Sequence, residues 1–223
     1  MTRQKIGKIF SILAKEYDQR GLTELSYSNP YTLLVSVMLS AQSTDVGVNR
    51  VTSKLFRVVQ TPEDAVNLGF DGLRELIKSI NYNNTKAKHI LSTSRKLIET
   101  FDSKVPGNMT DLVSLDGVGR KTANIVLNII FGIPTIAVDT HVFRVSNRLG
   151  IAKAKTVLET ERQLLKTIPK KYIAQANNFL VLFGRYQCKA LKPLCSSCAL
   201  RTYCDFWGSI EKNKIIQNGK NSQ

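Results

Sequence analysis

Residues 115–124 read LDGVGRKTAN: two glycines flank Val118, a basic pair follows, and then a helix-forming run begins. Glycine permits positive φ and close approach of another backbone. The N–H groups of such a turn, and of the helix it feeds, can hold a phosphate oxygen. Gly117, Gly119 and Arg120 are therefore candidates for an anion cradle. Lys121, next in line, could serve the same anion or act as an amine nucleophile. A plain turn between two helices would need neither. With a short helix expected near Thr110 to Ser114 and a longer one from Arg120, the segment fits a helix-hairpin-helix, which grips a DNA backbone without reading bases.

The second concentration of chemistry is sulfur. All 4 cysteines lie in one short segment, Cys188, Cys195, Cys198 and Cys204, spaced C-x6-C-x2-C-x5-C. Scattered buried thiols would not cluster this way. Disulfides suit secreted chains, and nothing here signals secretion. A metal centre is the better reading. Zinc usually shows two short Cys pairs; a single C-x2-C pair inside a tight loop suits a [4Fe-4S] cube. Spacing alone leaves zinc open.

The elements that must position these groups are helical. In NPYTLLVSVMLSAQ, Asn29 and Pro30 are start signals before a run apolar nearly all round, so this helix is expected to be central and buried. Ile6, Ile9, Phe10, Leu13 and Tyr17 follow helical spacing in a first helix, and Glu16 and Asp18 argue against an acid-poor transit peptide. Thr61-Pro62-Glu63-Asp64 reads as a cap with proline in the first turn. Asp71 is expected to cap a helix through Ile80. Thr156 with Glu159 suggests a capping box, and further helices are expected from about Asp139 and Tyr172. Only IPTIAV looks extended. The chain is expected to be all-α, with about ten helices and a frayed tail at the end.

The formal charge of +15, from 32 basic and 17 acidic residues, favours a polyanionic partner, because each phosphate neutralised releases counterions. Nucleic acid is preferred over a membrane surface. No apolar run approaches the roughly 20 residues of a membrane span, and a cytoplasmic protein is expected.

LSAQSTDVGVNR, LDGVGRKTAN, AVDTHVFRVSNRLG, FGRYQC and the cysteine spacing, in that order, together resemble the endonuclease III family of DNA glycosylases, over residues 3 to 207. The resemblance implies an enzyme that excises oxidised pyrimidines from duplex DNA and cleaves the abasic strand, carrying a [4Fe-4S] cluster on the four cysteines. It also implies two helical subdomains with the active site in a cleft between them. One is a six-helix barrel with the hairpin, residues 22–132. The other is a four-helix iron-sulfur subdomain, residues 1–21 and 133–207, followed by a tail at 208–223. The partner is damaged duplex DNA, and the protein is expected to be a monomer bound to the nucleoid through DNA.

By motif match Lys121 is the nucleophile. The chemistry agrees with that role: the amine that displaces the base at C1′ becomes a Schiff base, and it must be unprotonated to attack. Asp139 matches the catalytic aspartate; read alone, an Asp before a helix is an ordinary N-cap. Extruding a nucleotide costs a few kcal/mol, and something must fill the gap. Gln42 is the implied filler, and Tyr82 stands where relatives carry an aliphatic wedge. His141 is expected near the DNA gap, whereas His89 reads as a helix-surface residue with no role. Lys189 and Lys192, on the loop between the first two cysteines, would face phosphates. Asp116 departs from the family, which usually has proline there, and an acid beside a phosphate cradle is expected to weaken binding. Two rivals exist: a non-catalytic DNA-binding module, and an adenine-specific mismatch glycosylase. The second would need a glutamate near Ser36 and usually lacks the lysine.

Overall fold

The computed structural model describes residues 1–18 and 21–211; the tail expected at the C-terminus lies, beyond Glu211, outside the described residues. Among the described residues there is no strand, and ten α-helices account for the regular structure together with a 3-10 turn at Arg201–Tyr203 and a helical run at 205–211. The segment from Ile133 to Val138, expected to be extended, carries no regular structure. No described helix is long and apolar enough to cross a membrane.

The chain divides into two compact units, one continuous over Thr23–Ile133 and one built from Met1–Leu22 with Pro134–Gln223. The continuous unit contains α2 (Pro30–Ser40), α3 (Asp45–Leu55), α4 (Pro62–Leu76), α5 (Asn83–Phe101), α6 (Met109–Val113) and α7 (Arg120–Phe131). Its centre is α2, whose residues Tyr31 through Leu39 are all buried, as the all-round apolar sequence requires. Asn29 starts it with a reciprocal capping box to Thr32, and Pro30 costs nothing at the first turn, where no amide partner is needed. Thr61 and Asp64 form the same reciprocal box on α4. Gly69, at φ 71, kinks α4 into two pieces, and Asp71 pairs with Arg74 in the second; that piece ends at Leu76, short of the expected Ile80.

The other unit contains α1 (Arg3–Tyr17), α8 (Thr140–Leu149), α9 (Val157–Thr167) and α10 (Lys170–Tyr186). The stripe Ile6, Ile9, Phe10, Leu13 and Tyr17 is buried as its spacing predicts. It packs on α10, where Phe10 stacks on Tyr172 with ring centroids 5.8 Å apart. Each fully buried side chain of this size contributes roughly 1.5–3 kcal/mol, so the first helix is integral to this unit's core rather than a leader lying on it. Thr156 caps α9 through the Glu159 amide, but the Glu159 carboxylate returns to the amide of Lys155 instead of closing a box.

Candidate DNA-binding and catalytic site

The turn between α6 and α7 is where the sequence placed it. Val118 is buried and its amide closes on the Leu115 carbonyl at 3.1 Å, which anchors the turn to the core. Gly117 holds φ +74, a conformation that side chains resist, so its glycine is required by the backbone. Gly119 differs: its backbone is extended, and a Cβ there would meet nothing within 4 Å. That open face is where a ligand backbone could approach. Gly119 is also the N-cap of α7, and Arg120 and Lys121 are exposed in its first turn. Helix N-terminal amides and two exposed cationic residues thus lie within one helical turn, and the helix N-terminus favours an anion.

The hairpin rests on α5. Lys96 Nζ donates to the Ser114 carbonyl at 2.8 Å, and Thr93 Oγ1 donates to the Asp116 carbonyl at 2.8 Å. Ser92 Oγ donates to the Asp116 carboxylate. A Cβ on Gly117 would lie 2.6 Å from Nδ1 of His89, so the imidazole lies directly against the turn. His89, expected to have no role, is therefore part of the hairpin's seat. Positions 89, 92, 93 and 96 share one face of a helix, and that spacing was visible in the sequence; what it faced was not.

Gln42 and Tyr82 are exposed and both lie on left-handed backbone, at φ 54 and φ 59. Asn81 Nδ2 donates to the Gln42 carbonyl at 2.8 Å, which joins the two loops. Lys86 was missed by the sequence reading. Its Nζ donates to the carbonyls of Leu39 and Ala41 and to Ser43 Oγ, and burial pushes its pKa below the ordinary lysine value. The available signal was register: Lys86 falls on the α5 stripe with Ile90, Thr93 and Leu97. Ser36 is buried within α2, and its hydroxyl donates to the Ser26 carbonyl at 2.9 Å.

In the other unit Asp139 is the N-cap of α8. Its Oδ1 accepts from the amides of His141 at 2.9 Å and Val142 at 2.8 Å, which fixes the carboxylate and leaves Oδ2 outside the cap. Val138 and Val142 on either side are buried, so the cap has a firm base. Arg144 can only donate, so its contact at 3.1 Å with His141 Nδ1 makes that nitrogen the acceptor and leaves Nε2 to carry the ring proton.

The four cysteines are free and line a single pocket with Leu149, Phe183, Phe206 and Trp207 among its walls. Among the described residues no three His, Cys, Asp or Glu side chains are grouped to hold a single metal ion. Burial pushes the thiols of Cys195, Cys198 and Cys204 up. The loop from Cys188 is held from α8: Arg148 donates to the carbonyls of Lys189 at 2.7 Å and Ala190 at 2.9 Å, and Arg144 to that of Cys188 at 3.2 Å. Arg148 also stacks over Phe206, 4.7 Å from the ring centroid. Lys189 and Lys192 are exposed on this loop, and Lys192 sits at φ 50. Neither arginine was singled out from the sequence, because a helix-face arginine has no local mark of what it holds.

Residues 35–170 match the family described as HhH-GPD superfamily base excision DNA repair protein. Endonuclease III of Rickettsia conorii is 48% identical over 211 residues, covering 95% of this chain and 100% of the relative. Endonuclease III of Escherichia coli K12 is 46% identical over 197 residues, covering 88% and 93%. A solved structure of a trapped endonuclease III–DNA covalent intermediate, an estranged-adenine complex, superposes with a TM-score of 0.87 at 41% identity, covering 95% of this chain and 99% of that one. A non-covalent endonuclease III–DNA complex matches equally well, also with a TM-score of 0.87.

Proposed function

The chain belongs to the endonuclease III family within the HhH-GPD superfamily, DNA glycosylases with abasic-site lyase activity in base excision repair, and from that membership we propose how its own residues perform the reaction. The substrate is an oxidised pyrimidine in duplex DNA. The Lys121 amine attacks C1′ of the extruded nucleotide, the C1′–N bond breaks, and the base leaves with the bonding electrons and takes up a proton. The nitrogen stays on C1′; the C1′–O4′ bond then breaks, O4′ takes up a proton as the sugar ring opens, and the nitrogen is left doubly bonded to C1′ as a protonated Schiff base. Loss of a C2′ proton then expels the 3′ phosphate by β-elimination, and hydrolysis of the imine returns the lysine. The Asp139 carboxylate, oriented by two backbone amides, serves the proton and charge transfers at the sugar.

The hairpin amides with Arg120 hold a backbone phosphate. Gln42 fills the gap, Tyr82 stacks beside it, His141 offers Nε2–H, and Lys189 with Lys192 neutralise further phosphates. The four thiols sharing one pocket fit a [4Fe-4S] cluster, one iron per thiolate, better than a single zinc. Bound there, it would cross-link the loop and supply the positive charge that lets the thiols ionise. On this reading the protein acts as a monomer in the cytoplasm, on nucleoid DNA.

The observation that carries the reading is the exposed Lys121 in the first turn of α7, two residues beyond a glycine-walled open face. Borohydride trapping on abasic duplex tests it. The wild type should give a covalent protein–DNA adduct, and Lys121→Ala should give none, with strand scission down by a factor on the order of 10³ or more. Scission that survives Lys121→Ala would overturn the assignment.

A further inference from the structure

Gln42 is a non-glycine residue on left-handed backbone, a strained conformation that persists only where the surroundings impose it. The imposing groups are identifiable. The last carbonyls of a helix have no partner inside it, and α2 ends at Ser40. Lys86 Nζ donates to the Leu39 carbonyl at 2.8 Å, the Ala41 carbonyl at 2.6 Å and Ser43 Oγ at 3.3 Å. The Ser43 amide closes on the Ser40 carbonyl at 3.0 Å, and Asn81 Nδ2 takes the Gln42 carbonyl. The peptide planes on both sides of Gln42 are thus fixed from α5 and its leading loop, while the Gln42 side chain projects outward.

Lys86 is only 7% exposed and lies on a stripe otherwise made of Ala87, Ile90, Thr93, Ser94 and Leu97. A buried ammonium is costly unless it is fully hydrogen-bonded, and a hydrocarbon side chain at this register would pack without that cost. What a hydrocarbon cannot do is tie together Leu39, Ala41 and Ser43, on both sides of Gln42. The carbonyl end of a helix is also where a cation is best compensated.

We propose that Lys86 is the positioning residue of the gap-filling turn: its Nζ locks the backbone around Gln42 so that the side chain is set for the DNA stack before DNA arrives. The proposal rests on the reading of Gln42 as the gap filler. A double-mutant cycle in the full-length protein tests it. Two quantities are measured: single-turnover base release from a lesion duplex, and fluorescence of 2-aminopurine placed opposite an abasic site. Lys86→Met should slow release roughly tenfold, equivalent to about 1.4 kcal/mol in the barrier, and should suppress the fluorescence change as Gln42→Ala does. In the Gln42→Ala background it should add no further loss. An equal loss in both backgrounds would mean that Lys86 supports the fold generally, and would overturn the proposal. If Gln42→Ala is slow and Lys86→Met is not, the Lys86 role alone falls. If Gln42→Ala changes neither readout, the gap-filler reading itself falls. Should Lys86→Met not fold, Lys86→Gln, which keeps a donor, is run through the same cycle with the same two decisive outcomes.

Discussion

The Gln42–Tyr82 loops and the loop after Cys188 use one device with two kinds of support. Both present exposed side chains on left-handed backbone, Gln42 and Tyr82 in one case and Lys192 in the other. In the first region the support comes from protein donors, Lys86 and Asn81, acting on carbonyls. In the second, arginines of α8 hold the Cys188 end, and the four thiols line one pocket beside it. On the function proposed above, the turn that enters DNA is held by folding alone, whereas the loop that faces phosphates would depend on a cofactor for the rest of its support.

The strongest way to break that contrast is to remove a ligand. Cys198→Ser should abolish cluster absorbance and lower the melting temperature by about 10 °C, the equivalent of several kcal/mol at 2–4 °C per kcal/mol for a chain of this size. Hydrogen exchange should rise at the amides of residues 188–204 and stay unchanged at residues 39–43. Equal loosening of both regions would show that they are not independently supported.

Tyr82 sharpens the contrast from the other side. It is 64% exposed at φ 59 and leads α5 without a side-chain cap, so its aromatic ring does little for the fold. Tyr82→Gly should therefore stabilise the protein by about 1 kcal/mol, through relief of backbone strain, while base release from duplex slows severalfold. Thermal melting and single-turnover rates on the same preparation check the two opposed signs. A loss of stability would mean that the ring packs on the loop and that the strain serves folding instead.

How much of this was readable in advance depends on the range of the interaction. The α1 stripe, the Asn29 and Thr61 caps and the buried α2 follow from residues within a few positions of one another. So does the Asp139 cap on α8. The five motifs identified the family. Lys86 meets its partners 43 to 47 positions away, and no periodicity marks which carbonyls a buried lysine will find. The α4 break was legible in part: a second helix was expected to start at Asp71, and the non-helical Gly69 separates the two pieces just before it.

Asp116 shows the same limit on the smallest scale. Its charge beside the phosphate cradle is plain in the sequence, but its tether is not: Ser92 donates to the carboxylate and Thr93 to its carbonyl, both from α5. The tether ties the acid to the helix that seats the hairpin, so its repulsion of a phosphate should be weak though not zero, since the side chain remains exposed and only water screens it. Asp116→Asn should tighten binding to abasic duplex by about twofold to threefold at low salt, and the gain should vanish near physiological ionic strength, where the Debye length falls to roughly 8 Å. Ser92→Ala should move affinity the other way by freeing the carboxylate, and only when Asp116 is present. Titrations of the two single variants and the double variant at two salt concentrations separate the tether from the charge: a Ser92→Ala loss that persists in Asp116→Asn would mean that the serine supports α5 itself and does not restrain the acid.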